Sequence, residues 1–234
     1  MRSVSRRAFL GAGLLTLAGV GGAGGYGVGL FFTGEPSVAG TAAPLPTTSS
    51  PSTPTTPTAP TPPPKTVVED KSKALDVNDL EYKTRVFGVT SVVHSTVHVR
   101  VPSTWSFTQP DPPKTGRYTD PTGKRWIRME AGFTIRRAPA ASMEARLVAL
   151  RSVPAGQMLS IKSTTVDPDT KEATLVYTYV PEESRRYVIV RWVANPDGLC
   201  TFEIGVTGLP QDREALEDIL DHAAESATRD DSAI

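Results

Sequence analysis

The sequence predicts an α+β fold: an antiparallel β-sheet flanked by helices, preceded by one N-terminal transmembrane or signal helix. Three observations carry this expectation. Apolar and polar residues alternate with period two in runs from about Val86 to Val206. Short turn signals separate the later runs, and connections of that length demand antiparallel pairing. Two stretches with apolar residues at helical spacing interrupt and close the series.

The first element spans residues 1–33. Ala8 to Phe32 carries no charge over 25 residues, enough helix to cross roughly 30 Å of hydrocarbon. Arg2, Arg6 and Arg7 precede it and Glu35 follows, so the N-terminus is expected in the cytoplasm. Ser5-Arg6-Arg7-Ala8-Phe9-Leu10 resembles the twin-arginine export signal of bacteria, with Arg6, Arg7, Phe9 and Leu10 as its signature residues. Gly11 departs from the Lys that ends that pattern. Cleavage sites of small residues stand at Ser37-Val38-Ala39 and Thr41-Ala42-Ala43. The segment is therefore either a retained single-span anchor or a removed signal. No Cys stands directly after it, which excludes a lipid-anchored lipoprotein.

Residues 34–66 read as a stalk. From Thr41 to Thr66 there are nine Pro and nine Thr in 26 residues. Such a chain has no core-forming side chains and favours polyproline II, on the order of 80 Å end to end. It would hold a domain away from a membrane, and its Thr cluster is a candidate for glycosylation. Residues 67–85 form a poorly defined lead-in.

The globular domain is expected over 86–228. Thr96 to Val101 places three Val on one face. Trp105 to Phe107 starts a short run, and Gly116–Thr119 and Lys124–Phe133 flank the turn Asp120-Pro121-Thr122-Gly123. In the second flank, Ile127, Met129 and Ala131 should face inward, with Trp126, Arg128 and Glu130 outward. Ser142 to Ser152 is the first helix, through Met143, Leu147 and Leu150. Strands follow at 158–166, 172–180, 187–194 and 199–206. Pro210 opens the last helix, with Asp212 as N-cap and an apolar stripe of Leu216, Ile219, Leu220 and Ala223. Residues 229–234 should be loose. The order is four strands, helix, four strands, helix, in a single sheet.

Val101-Pro102-Ser103-Thr104-Trp105 and Tyr118-Thr119-Asp120-Pro121-Thr122-Gly123 together resemble the PsbP-like fold. More narrowly, they are similar to LpqN-type extracytoplasmic domains of high-GC Gram-positive bacteria. Thr104 stands where that pattern usually has Gly. The resemblance covers roughly 95–225 and implies a PsbP-like α/β sandwich. It implies no catalytic residue, because these families share none.

Charge and residue counts exclude several functions. The 25 basic and 25 acidic residues balance, which argues against a nucleic-acid partner. The balance adds unlike parts: residues 1–66 carry net +3 and residues 67–234 net −3. A single Cys excludes an internal disulfide and a multi-thiolate zinc site. No Gly-x-Ser-x-Gly, HExxH or Gly-rich phosphate loop is present in the domain. His94 and His98 share a strand face but lie about 13 Å apart, too far to chelate one ion. His222 is expected on the helix surface. Cys200 should be a core residue, sharing a face with Phe202, Ile204 and Val206. Asp167-Pro168-Asp169 reads as a turn rather than a calcium loop. Lys124, Arg125, Arg128, Arg136, Arg137, Arg185 and Arg186 are expected on solvated faces. No catalytic residue, metal ligand or cofactor is expected.

The expected function is a non-catalytic binding or interaction module of the bacterial envelope. It would sit outside the membrane, or be secreted if the signal is cleaved, and meet an envelope ligand or protein. Trp126, Tyr118, Tyr177, Tyr179, Tyr187 and Trp192 are candidates for an apolar pocket, against ordinary sheet packing. One alternative is an envelope hydrolase working through two close carboxylates. Another is an accessory sensor module of a membrane signalling partner.

Overall fold

The computed structural model describes residues 66–109 and 113–233. The expected signal or anchor, with Arg6, Arg7, Phe9 and Leu10, lies outside the described residues, as does the stalk up to Lys65. Among the described residues no helix is long and apolar enough to cross a membrane.

In chain order the strands begin with β1 (Tyr82–Thr90), β2 (His94–Pro102), β3 (Ser106–Thr108), β4 (Thr115–Thr119) and β5 (Trp126–Glu130). Helix α1 (Pro139–Leu150) leads into β6 (Ser160–Val166), β7 (Ala173–Tyr179), β8 (Arg186–Ala194) and β9 (Cys200–Gly208). Helix α2 (Arg213–Ser226) and β10 (Thr228–Ser232) follow. The fold is mixed α+β with antiparallel pairing throughout.

The strands form two sheets rather than the single one expected. The larger runs β3-β4-β5-β9-β8-β7-β6, and the smaller runs β1-β2-β10. Two strands in the small sheet explain the difference. Tyr82 pairs with Pro102 and Thr90 with His94, so β1 reaches back into the supposedly undefined lead-in. The tail at 229–234, expected to be loose, supplies most of β10, which pairs along the free edge of β2. Its polar side chains hide it from a hydrophobic pattern. Backbone bonds and Arg229 hold it instead: Arg229 donates to the carbonyls of Thr201 at 2.8 Å and Phe133 at 3.0 Å. Ser95, wholly buried, donates to Asp231 at 2.6 Å.

The large sheet has a core on each face. On one side Ile127, Met129, Phe202, Ile204 and Val206 pack with Val97, Val99 and Val101 of β2 and with Leu216, Ile219 and Leu220 of α2. Burial of each such aliphatic side chain contributes roughly 1.5–3 kcal/mol. On the other side Met143 and Leu150 of α1 meet Leu175, Val190 and Trp192. The alternation expected for 126–131 is the one observed, but Arg128 and Glu130 do not stand on a solvated face: α1 covers them, and its Arg146 shares Glu203 with Arg128.

Cys200 is buried as expected but lies on the other face from Phe202. The pairing of β8 with β9 shifts register between Val193 and Ala194, where Thr201 is the extra residue. That bulge turns Cys200 into the cluster beneath α1. A strict two-residue alternation cannot anticipate it.

Candidate binding site

Three polar constellations stand out among the described residues, and the third lines a cavity. The first joins distant parts of the chain. Arg125 follows the Asp-Pro-Thr-Gly turn and is 4 % exposed, so the solvated position expected for it is wrong. Its Nε and Nη2 donate to Asp212 at 2.7 and 2.9 Å. Nη1 reaches Asp120 at 3.3 Å, and Nη2 also donates to the Lys73 carbonyl. Asp212 accepts from the amides of Leu75 and Leu209, both at 2.8 Å. Asp212 thus occupies the N-cap position expected of it, but its carboxylate does not cap α2. Burial works against the Arg125 charge, and Asp212 and Asp120 more than offset it, raising its pKa. This constellation is a structural clamp with every polar group engaged.

The second constellation lies between α1 and the large sheet. Glu203 of β9 accepts from Arg146 of α1, from Arg128 of β5 at 2.5 Å and from the Trp192 indole at 3.0 Å. Burial opposes its charge, yet Arg146 and Arg128 hold its pKa down at about 2. Glu130, next along β5's outward face, is pushed the other way by burial and then by the charge of Glu203. Two carboxylates of opposite tendency are the pattern a hydrolase would need. Here, however, both oxygens of Glu203 are spent on protein donors.

The third constellation is an open cavity of about 480 Å³ on the opposite face. Arg85 of β1, the Ser103–Trp105 turn, Ser106 and Phe107 of β3, and Tyr118 of β4 line it. It sits at the Val-Pro-Ser-Thr-Trp segment, so the sequence flagged its wall without flagging a site. Its apolar side is an aromatic cluster: Phe107 lies 5.0 Å from Tyr118 and 5.3 Å from Phe87, centroid to centroid. Gly116 permits this cluster. A Cβ there would fall 2.2 Å from the Phe87 ring, so the glycine lets β1 close over β4.

Arg85 is the unusual member. Its Nε is buried without a hydrogen-bond partner, and its Nη2 sits 3.5 Å from the Ser103 carbonyl. A buried donor left unpaired costs about 1–3 kcal/mol. No charge pattern in the sequence set Arg85 apart, because its meaning depends on β1, which the sequence left mostly unassigned. No family model and no curated protein matches this chain.

The remaining candidates fall into place around these sites. Tyr118 alone of the six pocket aromatics borders the cavity. Tyr177, Tyr179 and Trp192 are buried beneath α1, Tyr187 is half-buried, and Trp126 carries the Arg117 guanidinium 4.4 Å above its ring. His94 is exposed and meets Thr90 Oγ1 at 3.0 Å, while His98 is half-buried on the same face. His222 stacks on Tyr82 at 3.9 Å rather than standing free in solvent. Among the described residues no group of three His, Cys, Asp or Glu is placed to hold a metal ion. Asp167 accepts from the amides of Asp169 and Thr170, both at 2.8 Å, in the turn between β6 and β7. The basic residues do not gather into one patch: Lys124 pairs with Asp70, Arg128 with Glu203, and Arg186 reaches the Lys124 carbonyl, while Arg136 and Arg137 are exposed.

Proposed function

We propose that the chain is a non-catalytic binding module of the bacterial envelope with a PsbP-like domain, related to the LpqN type. It is carried outside the cytoplasmic membrane on the Pro/Thr stalk, behind a twin-arginine-like signal at Arg6, Arg7, Phe9 and Leu10. The uncharged stretch from Ala8 to Phe32 and the stalk composition support the location. The observation that carries the binding reading is the composition of the cavity. Among the described residues, its wall offers a guanidinium, hydroxyls and aromatic rings, and no carboxylate, imidazole or thiol. Such a wall can hold a ligand, and its described residues offer no carboxylate or imidazole base to activate water.

The hydrolase reading draws on Glu130, whose raised pKa suits a proton donor. The engagement of Glu203 with Arg146, Arg128 and Trp192 leaves that donor without a free carboxylate partner. Binding is the better-supported function.

The test is fractionation of cells carrying the full-length chain, with N-terminal mapping and recovery of bound species. Export to the membrane or medium, with an envelope component retained, is the expected result. Retention in the cytoplasm would overturn the location. Turnover of wall substrates that Glu130→Gln abolishes would favour the hydrolase.

A further inference from the structure

Resting on the binding-module reading, we propose that the cavity between β1, β3 and β4 takes a small anionic molecule bearing an apolar ring. Its oxyanion lies against Arg85 and its ring against Phe107.

The sign of the charge follows from the wall. Among the described residues, Arg85 is the one ionisable group lining the cavity apart from the Tyr118 phenol, and no acidic side chain of theirs on that wall neutralises it. A cationic ligand would meet an uncompensated guanidinium. A neutral one would leave the guanidinium charge uncompensated. An oxyanion compensates that charge, and charge-assisted pairs of this kind are the strong ones, often bidentate. The hydroxyls of Ser103, Thr104 and Ser106 stand on the same wall as further donors.

The apolar part follows from size and from Phe107. A cavity of about 480 Å³ far exceeds a bare phosphate and lies within the range of small-molecule sites. Phe107 stays 42 % exposed although it belongs to an aromatic cluster. A ring laid there would cover it in the offset or tilted contact that aromatic pairs prefer. The cavity does not distinguish a carboxylate from a phosphate ester, since both present the same acceptors to a guanidinium.

The experiment uses the full-length, ¹⁵N-labelled chain in maltoside micelles, following the Arg85 Nε–H signal. The probes are phenyl phosphate, benzoate, inorganic phosphate and benzyl alcohol. Phenyl phosphate or benzoate should move that signal and bind at least tenfold more tightly than inorganic phosphate. Arg85→Gln should weaken the aromatic anion at least tenfold. Phe107→Ala, at a partly exposed side chain, should weaken the aromatic anion and leave inorganic phosphate unchanged. An Arg85 signal unmoved by every anion overturns the proposal. Benzyl alcohol binding as tightly as phenyl phosphate overturns the anionic assignment while leaving the cavity a binding site. If no probe binds yet an envelope component is recovered on the chain, the cavity assignment falls and the binding module stands. If neither occurs, both fall.

Discussion

Arg125 grips Asp212 through two parallel hydrogen bonds, at 2.7 and 2.9 Å, across 87 positions of sequence. The pair fastens the β4–β5 hairpin to the start of α2, and through the Lys73 carbonyl and Leu75 amide it fastens the lead-in as well. Both side chains are buried. Removing one partner leaves the other charge desolvated. Asp212→Ala is therefore expected to lower unfolding stability by about 3–5 kcal/mol. Asp79→Ala, which breaks an exposed pair with Lys73, should cost under about 1 kcal/mol. Denaturant melts of the two variants check the contrast.

The neighbouring glutamates should respond to neutralisation with opposite signs. Glu203 is held at about 2, below its ordinary 4.5, against burial, by Arg146 and Arg128. A depressed pKa gives stability that is present above pH 4.5 and lost as pH falls towards 2. Glu203→Gln should destabilise the protein by about 3–5 kcal/mol at pH 7 and flatten that acid slope. Glu130 is raised, first by burial and then by Glu203, so its charge opposes folding at neutral pH. Glu130→Gln should be neutral or stabilising there. Urea melts from pH 2 to pH 8 read both effects.

Cys200 should resist modification. Burial, and then the Glu203 charge, push its thiol up to about 12, which leaves almost no thiolate at pH 8. An aromatic disulfide reagent should label native protein slowly and urea-unfolded protein within seconds. Fast stoichiometric labelling of the native chain would contradict the packing beneath α1.

Gly116→Ala tests how the small sheet docks. The new methyl would strike the Phe87 ring, forcing β1 away from β4. The expected cost is about 1–3 kcal/mol, with the NMR signals of Arg85 and Tyr118 shifting together. A silent substitution would mean that β1 does not close over β4.

Residues with a local periodicity were legible, and residues defined by distant partners were not. Val97, Val99 and Val101 announced β2, and Leu216, Ile219 and Leu220 announced the buried stripe of α2. The polar Thr-Arg-Asp-Asp-Ser of β10 carried no such signal, because Arg229 anchors it to carbonyls 28 and 96 positions away. Arg125 looked like one more surface cation until the fold brought Asp212 to it. The cavity was half legible: its Ser103–Trp105 wall lies in the Val-Pro-Ser-Thr-Trp segment, noticed only as part of a family resemblance. Arg85 acquires its character only when β1 lies beside that segment.

The central claim is that the cavity beside Arg85 is where this module meets its ligand. The most direct measurement compares immobilised full-length protein with its Arg85→Gln variant. Both are exposed to the same envelope extract, and the small molecules they retain are identified by mass spectrometry. The account predicts an anionic, ring-bearing molecule enriched at least tenfold on the native chain. Equal retention by the two proteins would contradict it.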